Sequence, residues 1–328
     1  MANKARPTAK STPGSSTPQP TATTSSPRLG KPQPSKPQAS SSARARLAAE
    51  RARQEQRRRR MLLVAIPVAV VLVAVGALIA VRLAGGSAAT STASAGPASD
   101  AVISRVTSVP AGVLDQVGTG SVASLPQPVN APALTDGGKP KVLYVGAEYC
   151  PYCAAERWAV VVALSRFGTF TGLGQTASAA QDVFPSTPTL TFHGSSYSSP
   201  TIAVTGVETQ SNQIANGDYA PLDTLSATDQ QTFSTYNKPP YVSTSGSIPF
   251  VDIGGKYLIS GASYSPQLLQ GKTHQQVATD LADPSSDIAK AVDGTANVIT
   301  AAICKSTGDR PAAVCSSAGV QAAAKQLG

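Results

Sequence analysis

The sequence predicts an α/β domain with an additional helical tail, held outside a membrane by one spanning helix and preceded by a disordered segment. Three observations carry this reading. All sixteen aromatic residues (one Trp, nine Tyr, six Phe) fall between Tyr144 and Tyr264, which confines the packed core to that stretch. Within it, runs of β-formers alternate with helical periodicities, the pattern of an α/β fold. Finally, residues 61–81 form an uncharged run of 21 residues, long enough at about 1.5 Å per residue to cross a hydrocarbon core of ~30 Å.

Composition sets the frame of the first hundred residues. Gly (27) and Pro (26) exceed their usual combined share of about 12% of a chain. Residues 1–60 carry fourteen Lys/Arg against Glu50 and Glu55, whereas the remainder carries 13 basic against 16 acidic side chains. A uniformly basic nucleic-acid-binding domain is excluded, and any polyanion contact belongs to the tail. Residues 1–42 have almost no large apolar side chain and cannot bury enough surface to offset the entropy of ordering. Residues 43–60 favour helix but offer Leu47 alone as a large apolar side chain, so no stripe is available for a partner helix. Their terminal run Arg57–Arg60 suits anionic lipid headgroups better than nucleic acid. With that run before the apolar segment and Arg82 alone after it, the expected topology is a cytoplasmic tail (1–60), a signal anchor (61–82), a flexible spacer (83–99) and an extracytoplasmic domain (100–328). A cleavable signal peptide is the weaker alternative, because both its charged and its apolar regions would be too long.

Past the spacer, signals stay weak to Pro140, with a short apolar patch at Val113–Val117 and then Pro126, Pro128 and Pro132 as breakers, so loops with a short helix or strand are expected. Residues 141–146 (KVLYVG) read as a strand buried on both faces. AEYCPYC follows, and residues 154–167 form a helix with Trp158, Val161, Val162 and Leu164 on its inner face. Strands are expected over 189–192 and 201–207, and a capped helix over 223–236 with Leu225 and Phe233 inward. Residues 248–253 and 257–260 form a hairpin about Gly254 and Gly255. Helical segments over 265–269, 273–282, 285–304 and 311–327 close the chain.

The four cysteines fall into two kinds of pair. Cys150 and Cys153 flank Pro151-Tyr152 between a strand and a helix, which puts the first sulfur at the helix N-terminus, where unpaired N–H groups stabilise a thiolate. Pro151 suits the first helical position. The chemistry to expect is attack by Cys150 as nucleophile on a disulfide, then release of the mixed disulfide by Cys153 as resolving thiol. A static CxxC bridge and a zinc half-site are the competing readings; the second lacks a partner motif, since His193 and His274 stand alone. Cys304 and Cys315, ten residues apart with Gly308 and Pro311 between, read as a structural disulfide stapling a helical hairpin; a second, electron-relaying pair is the alternative.

KVLYVGAEYCPYC followed by a Trp-bearing helix resembles the active-site segment of the thioredoxin superfamily, and Cys-Pro-Tyr-Cys resembles the glutaredoxin dipeptide. The resemblance implies a thioredoxin-like fold with an inserted segment, since the roughly 95 residues from Cys153 to Pro249 exceed the minimal thioredoxin spacing. It also implies a cis-proline beside the sulfurs. IPFVDIGGKYLISGASYSPQLL is similar to the strand, hairpin and last helix that follow that proline, which makes Pro249 the candidate; Pro188 in TPTL competes. Substrate contacts are then implied for Pro151, Tyr152 and Ile248. Where thioredoxins keep a buried acid six residues before the first cysteine, this chain has Tyr144. Glu148 and Glu156 are nearby acids expected to be solvated, and His193 has no partner visible in sequence. The longer string YVGAEYCPYCAAERWAVVVALSRFGTF, with IPFVDIGGKY and the distal cysteines, resembles over about residues 100–320 an actinobacterial and archaeal family called domain of unknown function nine-two-nine.

The function expected is a membrane-anchored thiol-disulfide oxidoreductase acting on exported cysteine-containing proteins, with no metal or organic cofactor and a membrane redox partner whose identity the sequence does not carry. A redox-inactive thioredoxin-like binding module with structural disulfides is the alternative.

Overall fold

The computed structural model of the chain describes residues 96–97 and 100–327. The expected tail, membrane span and nearly all of the spacer lie outside the described residues. Among the described residues, no helix is long and apolar enough to cross a membrane.

The described chain is mixed α/β. Its principal elements are α1 (Asp100–Thr107), α2 (Ala111–Val117), β1 (Lys139–Gly146), α3 (Pro151–Ser165), β2 (Gly174–Ala177), β3 (Pro188–Thr191), β4 (Ala203–Glu208), β5 (Gln210–Ala215), β6 (Asp218–Pro221), α4 (Ala227–Tyr236), β7 (Phe250–Ile253), β8 (Tyr257–Ser260), α5 (His274–Asp280), α6 (Asp287–Thr307) and α7 (Ala318–Ala324). The strand carrying the CxxC approach, β1, is central. It pairs in parallel with β4, from Lys141↔Ala203 to Gly146↔Glu208. On its other edge it pairs antiparallel with β7, from Phe250↔Val145 to Ile253↔Val142, and β7 continues into the β8 hairpin.

Alternation along β1 splits the core in two, because successive side chains leave opposite faces of a strand. Val142 and Tyr144 join the main core with Trp158, Val161, Ile253, Ile259 and the buried face of α6. Leu143 and Val145 face the other way, into a smaller cluster with Val242, Phe250 and Leu258, against which Leu225 and Phe233 pack. Both faces of β1 are therefore dry, as its unbroken apolar run requires.

Against this frame, several expectations change. Helix α3 is buried all round from Cys153 to Leu164, not along one face, since it packs against β3 on one side and α6 on another. Helix α4 starts at Ala227 rather than at 223, because the Ser226 hydroxyl accepts the Asp229 N–H over 3.1 Å and caps it. The helix expected over 311–327 breaks into Ala312–Cys315 and α7. Among the described residues, the stretch before Pro140 holds two helices, α1 and α2. A further hairpin, β5–β6, turns at Asn216 (φ 56°) and Gly217 (φ 88°), left-handed positions that Asn and Gly tolerate. Helix α6 is capped by Ser286, whose hydroxyl accepts the Ala289 N–H over 2.9 Å, and ends at left-handed Gly308.

Candidate functional site

The site is built where β1 hands over to α3. Cys150 is the N-cap of α3, in extended conformation, and Pro151 supplies the first helical position without losing a hydrogen bond. The Cys150 sulfur accepts the Cys153 backbone N–H over 3.2 Å, the bond a capping oxygen would normally make. On its other side the Cys150 thiol faces the Ile248 carbonyl oxygen at 3.9 Å. The Ile248–Pro249 bond is cis, and Pro249 is buried immediately before β7. Cys150, Cys153, Pro151, Ile248 and Pro249 thus meet, with Tyr152 43% exposed beside them and set edge-to-face against Phe184. Pro188 has another place: it opens β3, and its carbonyl accepts the Trp158 indole N–H over 2.9 Å. Among the described residues the remaining cis X–Pro bonds are 239–240 and 310–311.

The two free thiols differ in environment. The hydrogen bond from the Cys153 side chain holds the Cys150 thiol below the ordinary cysteine range, helped by the Cys153 N–H and the charge of Arg157 and opposed by burial. Cys153 has no solvent exposure, and burial first, then its bond to Cys150, pushes its thiol well up. One sulfur is thus prepared to ionise and the other to stay protonated until something removes its proton.

Two acids expected in solvent are inside. Glu148 is 1% exposed, its N–H donates to Gln210, and its Oε1 finds no hydrogen-bond partner. Glu156, wholly buried, accepts the Ser263 N–H at 2.7 Å and hydroxyl at 3.0 Å, while burial raises its pKa to about 7. Glu156 is inside because α3 has no solvent face from Cys153 to Leu164, and the Glu148 loop is tied to Gln210 through the Glu148 N–H. His193 does have a partner, Asp223, at 2.7 Å.

Sequence reasoning passed over Arg157 and Glu208. Arg157 lies four residues after Cys153, on the same face of α3. Its Nε and Nη2 donate to the two Glu208 oxygens at 2.8 Å each, and Nη2 also donates to the Ala147 carbonyl at 2.6 Å. Both side chains are fully buried. A sequence signal existed: AAERWAVVVAL is apolar on every side of a helix, so a charged pair within it has no route to water.

Cys304 and Cys315 form a disulfide with Cα atoms 5.7 Å apart, tying the last turn of α6 to the short helix Ala312–Cys315. Among the described residues, no three of His, Cys, Asp or Glu are grouped so as to hold a metal ion.

Comparison with known proteins finds no match among curated proteins and none among solved structures. One family model does match, over residues 127–224 and 218–305, more than half of the chain and including β1, the CxxC, Pro249 and most of α6. The chain therefore belongs to the family described as Domain of unknown function (DUF929).

Proposed function

We propose that this protein is a membrane-anchored, extracytoplasmic thiol-disulfide oxidoreductase of thioredoxin-like fold, working on cysteines of exported proteins through Cys150 and Cys153. The observation that carries the reading is the asymmetry of the two free thiols: Cys150, at a helix N-terminus, is held low, while Cys153, sealed behind it, is held high. Two sulfurs in a merely structural bridge need no such difference. Support for the fold comes from the order of elements. A parallel pair, β1 and β4, is connected through the CxxC helix and the strands after it, β2 and β3 among them, and an antiparallel hairpin, β7–β8, is entered through Pro249 beside the sulfurs. Support for the compartment comes from the arginine run ahead of the apolar segment, which leaves the cysteines on the side where disulfides persist.

In this mechanism the Cys150 thiolate attacks one sulfur of a substrate disulfide, and the substrate's other cysteine leaves as a thiolate. Cys153 then loses its proton and attacks Cys150, closing the enzyme disulfide and releasing the substrate reduced; the same steps reversed oxidise a dithiol. Pro151 fixes the helix start, Tyr152 offers an exposed ring to the substrate, and the Ile248 carbonyl flanks the attacking sulfur. The test is a trap. Cys153→Ser expressed in cells should accumulate reducible, high-mass mixed disulfides with exported proteins. Cys150→Ser should accumulate almost none. Equal, negligible trapping by both variants would reject the oxidoreductase in favour of a binding module.

A further inference from the structure

The pocket beneath the CxxC holds more buried polarity than a hydrophobic core needs. Helical side chains lean towards the helix N-terminus, so Arg157 climbs over the turn that begins at Cys153, and its 2.6 Å bond to the Ala147 carbonyl puts the guanidinium level with the loop before Cys150. Nη1, the one guanidinium nitrogen not used for Glu208 or Ala147, is buried and finds no hydrogen-bond partner. Glu208 ends β4 in register with Gly146, and a Cβ at Gly146 would run into the Tyr144 hydroxyl, so Tyr144 lies over the same end of β1. The Tyr144 hydroxyl is likewise buried without a partner.

We propose that the Arg157–Glu208 pair serves the resolving step, Glu208 taking up the proton that Cys153 must lose and the free Arg157 nitrogen offering its charge to the thiolate that remains. This rests on the oxidoreductase reading above. The step balances. Cys153 gives its proton to a Glu208 oxygen, and its sulfur forms a bond to the Cys150 sulfur. The bond from Cys150 to the substrate sulfur breaks with both electrons leaving on the substrate, whose thiolate takes a proton from solvent. Burial holds the Glu208 carboxyl above its ordinary value despite Arg157, which makes it a better proton acceptor than a carboxylate in water. The charged and titratable groups facing the pocket are Tyr144 from β1, Glu148 from the loop, Cys150, Cys153 and Arg157 from α3, and, behind the backbone of Glu208, Asp223 with its partner His193.

The experiment follows the two steps separately in the full-length protein in detergent, with oxidised glutathione as the probe. Acid quenching and mass spectrometry count the glutathione adduct on Cys150 as it forms and as Cys153 clears it. Glu208→Gln keeps the shape of the pair and should still form the adduct on Cys150. At pH 7 the adduct should persist at least tenfold longer than in the wild type, with the difference closing as pH rises towards 10. Should Glu208→Gln not fold, Arg157→Met with Glu208→Leu removes both charges at similar volume, a replacement that buried pairs tolerate, and should slow clearance in the same way. An unchanged lifetime and pH profile in a folded variant would overturn the inference while leaving the oxidoreductase standing. No adduct on Cys150, even with Cys153→Ser, would instead remove the oxidoreductase reading itself.

Discussion

The two cysteine pairs of this chain sit at opposite poles of helices. Cys150 caps the N-terminus of α3, whereas Cys304 lies in the last turn of α6, three residues before its end at Thr307. Backbone N–H groups and the positive end of the helix dipole favour a thiolate at the first place, and the negative end disfavours one at the second. On the proposed reading the first place carries the nucleophile, whereas at the second the disulfide leaves no thiol to ionise. The surroundings agree. Beside the CxxC, the Tyr144 hydroxyl, Glu148 Oε1 and Arg157 Nη1 are buried without partners, a cost of about 1–3 kcal/mol each that the rest of the fold must offset. Around the stapled end, Arg166 at the end of α3 binds Asn297 and Ser317 at 2.9 Å each, and Asn297 in turn donates to the carbonyls of Leu114 and Gly118 at 2.7 Å.

The largest expected effect breaks the comparison at its reactive end. Replacing Cys150 with Ser should reduce disulfide exchange with a small disulfide such as oxidised glutathione by roughly a hundredfold or more, because Cys150 is the free thiol at the helix N-terminus and the other, Cys153, has no exposure at all. Replacing Cys304 and Cys315 together with Ala should do the reverse. An eleven-residue separation corresponds to roughly 3 kcal/mol of chain-entropy stabilisation. Calorimetry should then show a melting temperature lower by roughly 6–12 °C for a domain of this size, while exchange at Cys150 stays intact. Preserved stability with lost turnover by a membrane partner would make the distal pair a relay.

A third prediction concerns Asp293, in the middle of α6. It is buried, both its oxygens lack partners, and burial raises its pKa to about 8 from 3.8. A carboxyl whose folded pKa lies above its unfolded one costs nothing below the unfolded value; between about pH 4 and pH 8 the unfolded chain ionises first and stability falls, by roughly 1.4 kcal/mol per pH unit at most. Asp293→Asn should therefore raise the melting temperature near pH 8 and have little effect near pH 4. A gain of the same size at both pH values would mean that Asp293 is not titrating as described. Smallest is Tyr152→Ala, which removes an exposed ring that touches Phe184. It should weaken exchange with a protein disulfide by only a few-fold and leave glutathione exchange and stability within about 0.5 kcal/mol of the parent.

What could be read from sequence was local. The strand at 141–146, the CxxC cap with Pro151, the Gly-Gly hairpin, and the helical segment at 273–282 all depend on residues within a few positions of one another. So does the Cys304–Cys315 pair, because its partners are close along the chain. The polar floor of the site was not legible. Arg157 and Glu208 are 51 residues apart, and nothing in either neighbourhood announces that β4 returns beside β1 in parallel. Acids such as Glu148 and Glu156 are ordinarily exposed, and for Glu156 the covering of α3 on all sides overrides that tendency. The hairpin at 210–221 did carry a sequence signal, Asn216-Gly217, but its flanks lack the apolar alternation that usually accompanies one.

The account stands most directly on the ionisation of Cys150. Alkylation by iodoacetamide, followed residue by residue by mass spectrometry across pH 4–10 in the reduced full-length protein, measures it. Cys150 should react with a midpoint clearly below about 8.5, the value of an unperturbed thiol. Cys153 should stay unmodified until much higher pH. If Cys150 instead reacts with a midpoint at or above that value, or no faster than Cys153, the helix N-terminus has not prepared a nucleophile and the oxidoreductase account is contradicted.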